Sequence, residues 1–208
     1  NVALGYSALG TLNAGAEGYN VAVGFSAGVA MTTGASNTIV GGLAGDALTT
    51  GSDNVAIGAN ALSTEDTGGR NVAVGRGTLQ NQNVDSSAYN VAIGYEAGND
   101  ITTGVQNTIV GAQAGDALTT GSYNTVFGYE ALTTEDAHSG NTAIGYQALR
   151  VQDAGSNAYN TAVGHQAGAA ITTGTDNVLI GAFAGDALVE GDYNVAIGRS
   201  ALSLEDAY

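Results

Sequence analysis

Twelve times in 208 residues, an asparagine is followed four positions later by a glycine. The asparagines are Asn1, Asn20, Asn37, Asn54, Asn71, Asn90, Asn107, Asn124, Asn141, Asn160, Asn177 and Asn194, and their spacing is only ever 17 or 19 residues. The order of steps is itself periodic: 19, 17, 17, 17, then the same again, then 19, 17, 17. Four-unit blocks therefore begin at Asn1, Asn71 and Asn141, with a period of 70 residues. A fixed period of this length marks a stacked-repeat architecture, in which each unit contacts only its neighbours. It divides one repeat domain, 1–208, into blocks 1–70, 71–140 and 141–208.

Counting from each asparagine as position 1 exposes the columns. Position 5 is always glycine, as in Gly41, Gly58, Gly111, Gly128 and Gly181, and position 4 is always large and apolar. Position 8 is alanine except at Thr78. Position 9 runs Leu, Gly, Gly, Leu through each block, and the glycine units carry apolar bulk at position 12 instead, for example Met31, Leu48 and Ile101. Two unit types thus fill one cross-section in different ways, as packed volume requires. Units of this size are too short for a helical hairpin. The "NVAIG"-type stretches and the "TTG" turns predict an all-β, parallel β-solenoid of about 12 coils, each with two short strands and two turns. At the inter-strand spacing, the rod would be roughly 58 Å long. A three-faced hexapeptide coil needs an aliphatic residue every six positions, and the two anchors at positions 4 and 9 or 12 favour two faces. Strand residues alternate sides. Position 4 is expected to fill the interior, with the opposite face packed on other copies of the chain. The asparagine column is expected to hydrogen-bond coil to coil or cap a turn. The glycine column is expected to allow positive φ or close backbone approach.

Composition narrows the role. Four arginines and no lysine stand against 19 acids, for a net charge of −15. Nucleic acid and anionic membranes would be repelled, so neither is an expected partner. No apolar run reaches the roughly 20 residues of a membrane helix, so no direct membrane insertion is expected. There is no cysteine, hence no disulfide and no thiolate metal site. The 33 glycines could suggest disorder, but regularly spaced apolar runs argue against it.

A search for chemistry finds little. His138 and His165 occupy different coil positions, and no nucleophile–histidine–acid set recurs, so surface or turn roles are expected for both and no catalytic residue is assigned. Asp46, Asp116 and Asp186 form one column, and the pairs Glu65–Asp66, Glu135–Asp136 and Glu205–Asp206 another. No EF-hand or nonapeptide calcium repeat surrounds them, so they read as solvated acids, with no metal and no cofactor. Planar groups recur at position 6, including Tyr6, Tyr95, Tyr129 and Tyr146, and tyrosines precede the asparagine, including Tyr123 and Tyr193. These six are the candidate surface contacts. A row of exposed ring faces could stack on sugars, or could shield turns and pack between subunits.

With the coils aligned, "NVAIGYEAG" (90–98), "NTAIGYQAL" (141–149) and "NTAVGHQAG" (160–168) resemble the head repeats of YadA-like trimeric autotransporter adhesins. They are also similar to repeat arrays of phage tail-fibre proteins. The resemblance covers the whole chain. It implies a left-handed β-roll, against the general right-handed crossover rule, in an intertwined or side-by-side homotrimer that binds through its surface. The coils are longer than is usual in such heads, so larger outer turns are expected. The expected role is a non-enzymatic shaft or head segment of an attachment fibre, extracellular, cell-surface or on a virion. Its partners would be itself, as a homotrimer or end-to-end filament, and a host-surface glycan or protein receptor. A purely structural filament is the alternative. An ice-binding solenoid is a third reading, weakened by the lack of Thr-x-Thr rows on consecutive coils. The chain starts on a unit boundary and stops within a unit, without atypical end repeats, so it is expected to be part of a longer array or an end-to-end stacking subunit.

Overall fold

The Asn-x-x-x-Gly register becomes one strand per coil. The structure is a computed structural model and describes residues 1–13, 18–134, 136–155 and 157–203. Each coil contributes one three-residue strand at positions 2 to 4: β1 Val2–Leu4, β2 Val21–Val23, β3 Thr38–Val40, β4 Val55–Ile57, β5 Val72–Val74, β6 Val91–Ile93, β7 Thr108–Val110, β8 Thr125–Phe127, β9 Thr142–Ile144, β10 Thr161–Val163, β11 Val178–Ile180 and β12 Val195–Ile197. They form a single parallel sheet in chain order. Pairing is strictly position to position, as in Val74↔Ile93 and Val110↔Phe127, so the 19-residue coils lengthen a turn without shifting the register. The chain is an all-β parallel solenoid, with no helix among the described residues.

The expected second strand is absent, for a backbone reason. Positions 7 and 9 sit in the left-handed region in every coil, for example Glu96 (φ 54) and Gly98 (φ 56), or Glu130 (φ 50) and Leu132 (φ 52). The residue before each asparagine does the same from the second coil onward, as at Tyr89 (φ 55) and Tyr123 (φ 61). Two left-handed residues one apart cannot lie in an extended strand. Instead the position 9 amide donates to the position 8 carbonyl of the next coil at 2.9–3.2 Å, from Leu9→Ala27 to Gly185→Ala201. This second ladder replaces the second sheet. A left-handed leucine is unfavourable alone, but Leu62, Leu79, Leu132 and Leu149 are fully buried. Their burial and the ladder hold the conformation.

The strand faces the opposite way from the size-based expectation. Position 3, not position 4, lines the interior. Ala22, Ala56, Ala73, Ala92, Ala143 and Ala162 are all fully buried, while Ile57, Ile93 and Phe127 are exposed. The cross-section explains the inversion. Large side chains at positions 9 or 12 reach across from the opposite wall, so the strand can usually contribute only alanine. The largest exceptions occur where two successive coils carry glycine at position 9, while Val126, one coil after Ile109, is a smaller exception in a coil with Leu132 at position 9. A Cβ on Gly28 would lie 3.0 Å from Ile39 Cδ1, and one on Gly45 3.3 Å from it. Ile109 and Leu179 occupy the same place in the later blocks, beside Gly98 and Gly168. The four-beat Leu, Gly, Gly, Leu rhythm thus makes room for one large strand residue in the third coil of each block.

The two invariant columns bound the strand. Each asparagine Oδ1 accepts the backbone N–H of the next asparagine at 2.8–3.2 Å. In eight coils the asparagine Nδ2 donates to the position 15 carbonyl at 2.7–3.0 Å, closing the coil on itself. At the other end of the strand, Gly41, Gly58, Gly111, Gly128 and Gly181 have φ between 132 and 145. A Cβ on any of them would come within 2.2–2.5 Å of the next coil's glycine carbonyl oxygen. Only glycine satisfies both the dihedral and the approach.

Candidate functional site

Outside the interior, three features carry chemistry: the aromatic columns, the acids and the outer sheet face. Position 6 follows directly on the glycine, so its side chains stack coil on coil at the edge of the sheet. Tyr129 and Tyr146 stack at 5.8 Å and 15°, Tyr146 and His165 at 4.9 Å and 16°, and Phe183, from position 7 of the next coil, meets His165 edge-on at 5.0 Å. Tyr6 pairs with Phe25 at 5.5 Å and 10°. Arg76 lies over the Tyr95 ring at 5.7 Å, donates to its hydroxyl at 3.1 Å and pairs with Glu96 at 3.8 Å. Of the two readings of this column, open faces for sugar stacking or rings that cover one another and the turns, the stacks fit the second. Within a run, the faces are turned along the rod and covered by neighbours, and the ring edges meet solvent. Tyr123 and Tyr193 are in no ring stack among the described residues and are 62% and 78% exposed. Alongside the stack, Gln147 donates to Glu130 at 2.7 Å and Gln166 to Gln147 at 2.9 Å, an amide ladder at position 7 with no motif of its own in the sequence. The hydroxyl of Tyr129 and the side chain of Gln147 hold the Glu130 carboxyl below its usual range.

The acids are less uniformly solvated than their surroundings in sequence suggest. Glu65 is fully buried, because position 12 points inward in this coil as it does at Met31 and Leu48. It accepts from the Gly68 amide at 2.7 Å, from Gln82 Nε2 at 2.9 Å and from the Val84 amide at 3.2 Å. Burial still pushes its carboxyl up. Gln82 passes the connection on, accepting from Asn90 Nδ2 at 2.8 Å. This polar chain fills the interior beside the long turn of the fifth coil. Glu135, Glu205 and Asp206 lie outside the described residues.

The column Asp46, Asp116, Asp186 has its Oδ1 atoms buried without a hydrogen-bond partner. Burial pushes the Asp116 carboxyl up to about 6, and the nearby Asp100 and Glu96 carboxylates add to the rise. The sign follows from proton linkage. Between the ordinary carboxylate pKa and about 6, the native chain binds the proton more tightly than the unfolded chain, so stability falls as pH rises through that window. Asp116→Asn should raise Tm by a few degrees at pH 7.5 and leave it nearly unchanged at pH 3, as measured by thermal unfolding. A loss of stability at pH 7.5 would show that the ionised carboxylate is favoured.

The two histidines differ. His165 belongs to the aromatic stack. His138, expected at the surface or in a turn, is only 7% exposed, with Nδ1 4.0 Å from Asp153 Oδ1.

The outer face is the largest feature. Positions 2 and 4 of all twelve strands hold only Val, Thr, Leu, Ile or Phe, and none is buried. Phe127 is 56% exposed and Ile93 40%. Position 4 is apolar in every coil and position 2 is Val in seven of twelve and Thr in the rest, which together is far from the scattered exposure of ordinary monomers. Among the described residues no helix is long and apolar enough to cross a membrane. Comparison with protein-family models, curated proteins and solved structures found no match to this chain.

Proposed function

We propose that the chain is a non-enzymatic segment of an extracellular or virion-borne attachment fibre, built by side-by-side association of identical solenoids. The observation that carries this reading is the uncharged, unburied face at positions 2 and 4, apolar throughout at position 4 and Val or Thr at position 2. A second copy is the partner that suits it. The face repeats at strand spacing along the rod, so an identical rod offers a matching period, and no charge interrupts either column. The acids lie outside these two columns and keep the assembled fibre soluble. The resemblance to trimeric adhesin heads and tail-fibre arrays favours three copies. In this reading, receptor contact falls to the exposed tyrosines, chiefly Tyr123 and Tyr193, which are the most exposed of the six candidates outside the ring stacks, with Tyr6, Tyr95, Tyr129 and Tyr146 contributing edges. The partner is a host-surface glycan or protein.

Binding of the assembled fibre to cells and to a glycan panel tests this role. Tyr123→Ala with Tyr193→Ala should weaken attachment tenfold or more while leaving thermal unfolding unchanged. Attachment unaffected by that pair, and also by alanine at Tyr95, Tyr129 and Tyr146, would leave a purely structural filament as the better reading.

A further inference from the structure

The block repeat supplies its own control for an unusual cluster. Position 15 is glycine in seven of the eight complete 17-residue coils, and the exception is His138. At the junction between the first two blocks, the aligned residues are Asp66 and Gly68 in the fourth coil and Asn83 in the fifth. At the next junction they are Asp136, His138 and Asp153. Two departures from the repeat, glycine to histidine and asparagine to aspartate, fall in adjacent coils and meet in space. The ligand atoms of Asp136, His138 and Asp153 all lie within 4.8 Å of one another.

We propose that Asp136, His138 and Asp153 form a divalent transition-metal site, of the zinc class, that clamps the eighth coil to the ninth. The backbone work at this position is already done. The His138 carbonyl accepts from Asn124 Nδ2 at 3.0 Å, as glycine carbonyls do elsewhere, so the imidazole is an addition to the repeat. The ring is held in place by burial, while Asp136 and Asp153 are exposed and can swing. Two ligands on one tetrahedral zinc, each about 2.0–2.1 Å from the metal, stand about 3.3 Å apart. The observed 4.0 Å between His138 Nδ1 and Asp153 Oδ1 therefore closes by small carboxylate rotations. One imidazole and two carboxylates suit zinc, cobalt or nickel, with water completing the shell. Calcium and magnesium prefer all-oxygen shells with more ligands. The chain's net charge of −15 adds a favourable field.

The test uses the whole chain, freed of metal by chelation and then titrated with Zn²⁺, Co²⁺ or Ca²⁺. Two variants restore the residues of the first junction, His138→Gly and Asp153→Asn. The proposal expects one Zn²⁺ per chain by calorimetry, a rise of several degrees in Tm reversed by chelator, and tetrahedral Co²⁺ absorption bands. Each variant should bind at least thirtyfold more weakly, and Ca²⁺ should bind far more weakly than Zn²⁺. If His138→Gly fails to fold, Asp153→Asn decides alone. The proposal is overturned by the absence of saturable Zn²⁺ or Co²⁺ binding at micromolar concentration, by undiminished binding in Asp153→Asn, or by Ca²⁺ binding as tight as Zn²⁺.

Discussion

Gly94→Ala is expected to destabilise the rod by roughly 2–6 kcal/mol, combining a strained dihedral with steric overlap. Gly94 has φ 142, and an added Cβ would lie 2.3 Å from the Gly111 carbonyl oxygen and 3.0 Å from the Ala112 amide nitrogen. All of these neighbours are backbone, so no side-chain rotation relieves the overlap. The coils would have to separate, and the glycine amide ladder would go with them: Gly94 donates to Val74 and Gly111 to Ile93, both at 2.8 Å. In a stacked array, a broken junction costs both neighbouring units. The drop in Tm should be on the order of 5–20 °C for a chain of this size. Gly42→Ala is the matched control. A Cβ there has no atom within 4 Å, and the residue is not in the left-handed region. It should change stability by less than about 0.5 kcal/mol. Equal losses at both positions would mean that the glycines matter only for chain flexibility.

Phe127→Asp should separate the assembly while leaving the solenoid folded. The side chain points outward at 56% exposure, so within one rod an aspartate meets water and costs little. Against a second copy it would bury an unpaired charge in an apolar face, a loss of roughly 3–5 kcal/mol. Self-association should weaken more than a hundredfold, read by light scattering, with an unchanged thermal transition in the dissociated chain. The neighbouring Val126→Asp is the reciprocal case. Val126 is fully buried on the inner face, so that change should unfold coils whatever the state of assembly. If Phe127→Asp unfolds the chain and Val126→Asp does not, the two faces have been exchanged.

Much of the architecture was legible because stacking turns each coil position into a column. The Asn and Gly columns, the strand position and the parallel register all follow from a spacing that never departs from 17 or 19 residues. The direction of the strand was not legible. Period-two alternation distinguishes two faces but does not say which is inside, and residue size points the wrong way here. Position 4 is large because it faces outward, and position 3 is small because Leu62 or Met31 fills the interior from across the coil. The missing second strand was hidden for a different reason. Leucine at position 9 carries no turn signature, yet Leu132 and Leu149 are left-handed. The same column logic could have found Glu65 in the interior, since position 12 was already the site of Met31 and Leu48. The His138 cluster needed three dimensions, because Asp153 lies on the next coil, 15 residues from His138.

In the fibre proposed above, the outward strand face at positions 2 and 4 is an interface between copies. Sedimentation equilibrium of the folded chain at micromolar concentration tests it most directly. A discrete multiple of the monomer mass is expected, with three copies favoured, shifting to monomer in Phe127→Asp. A folded chain that sediments strictly as a monomer across that range would contradict it.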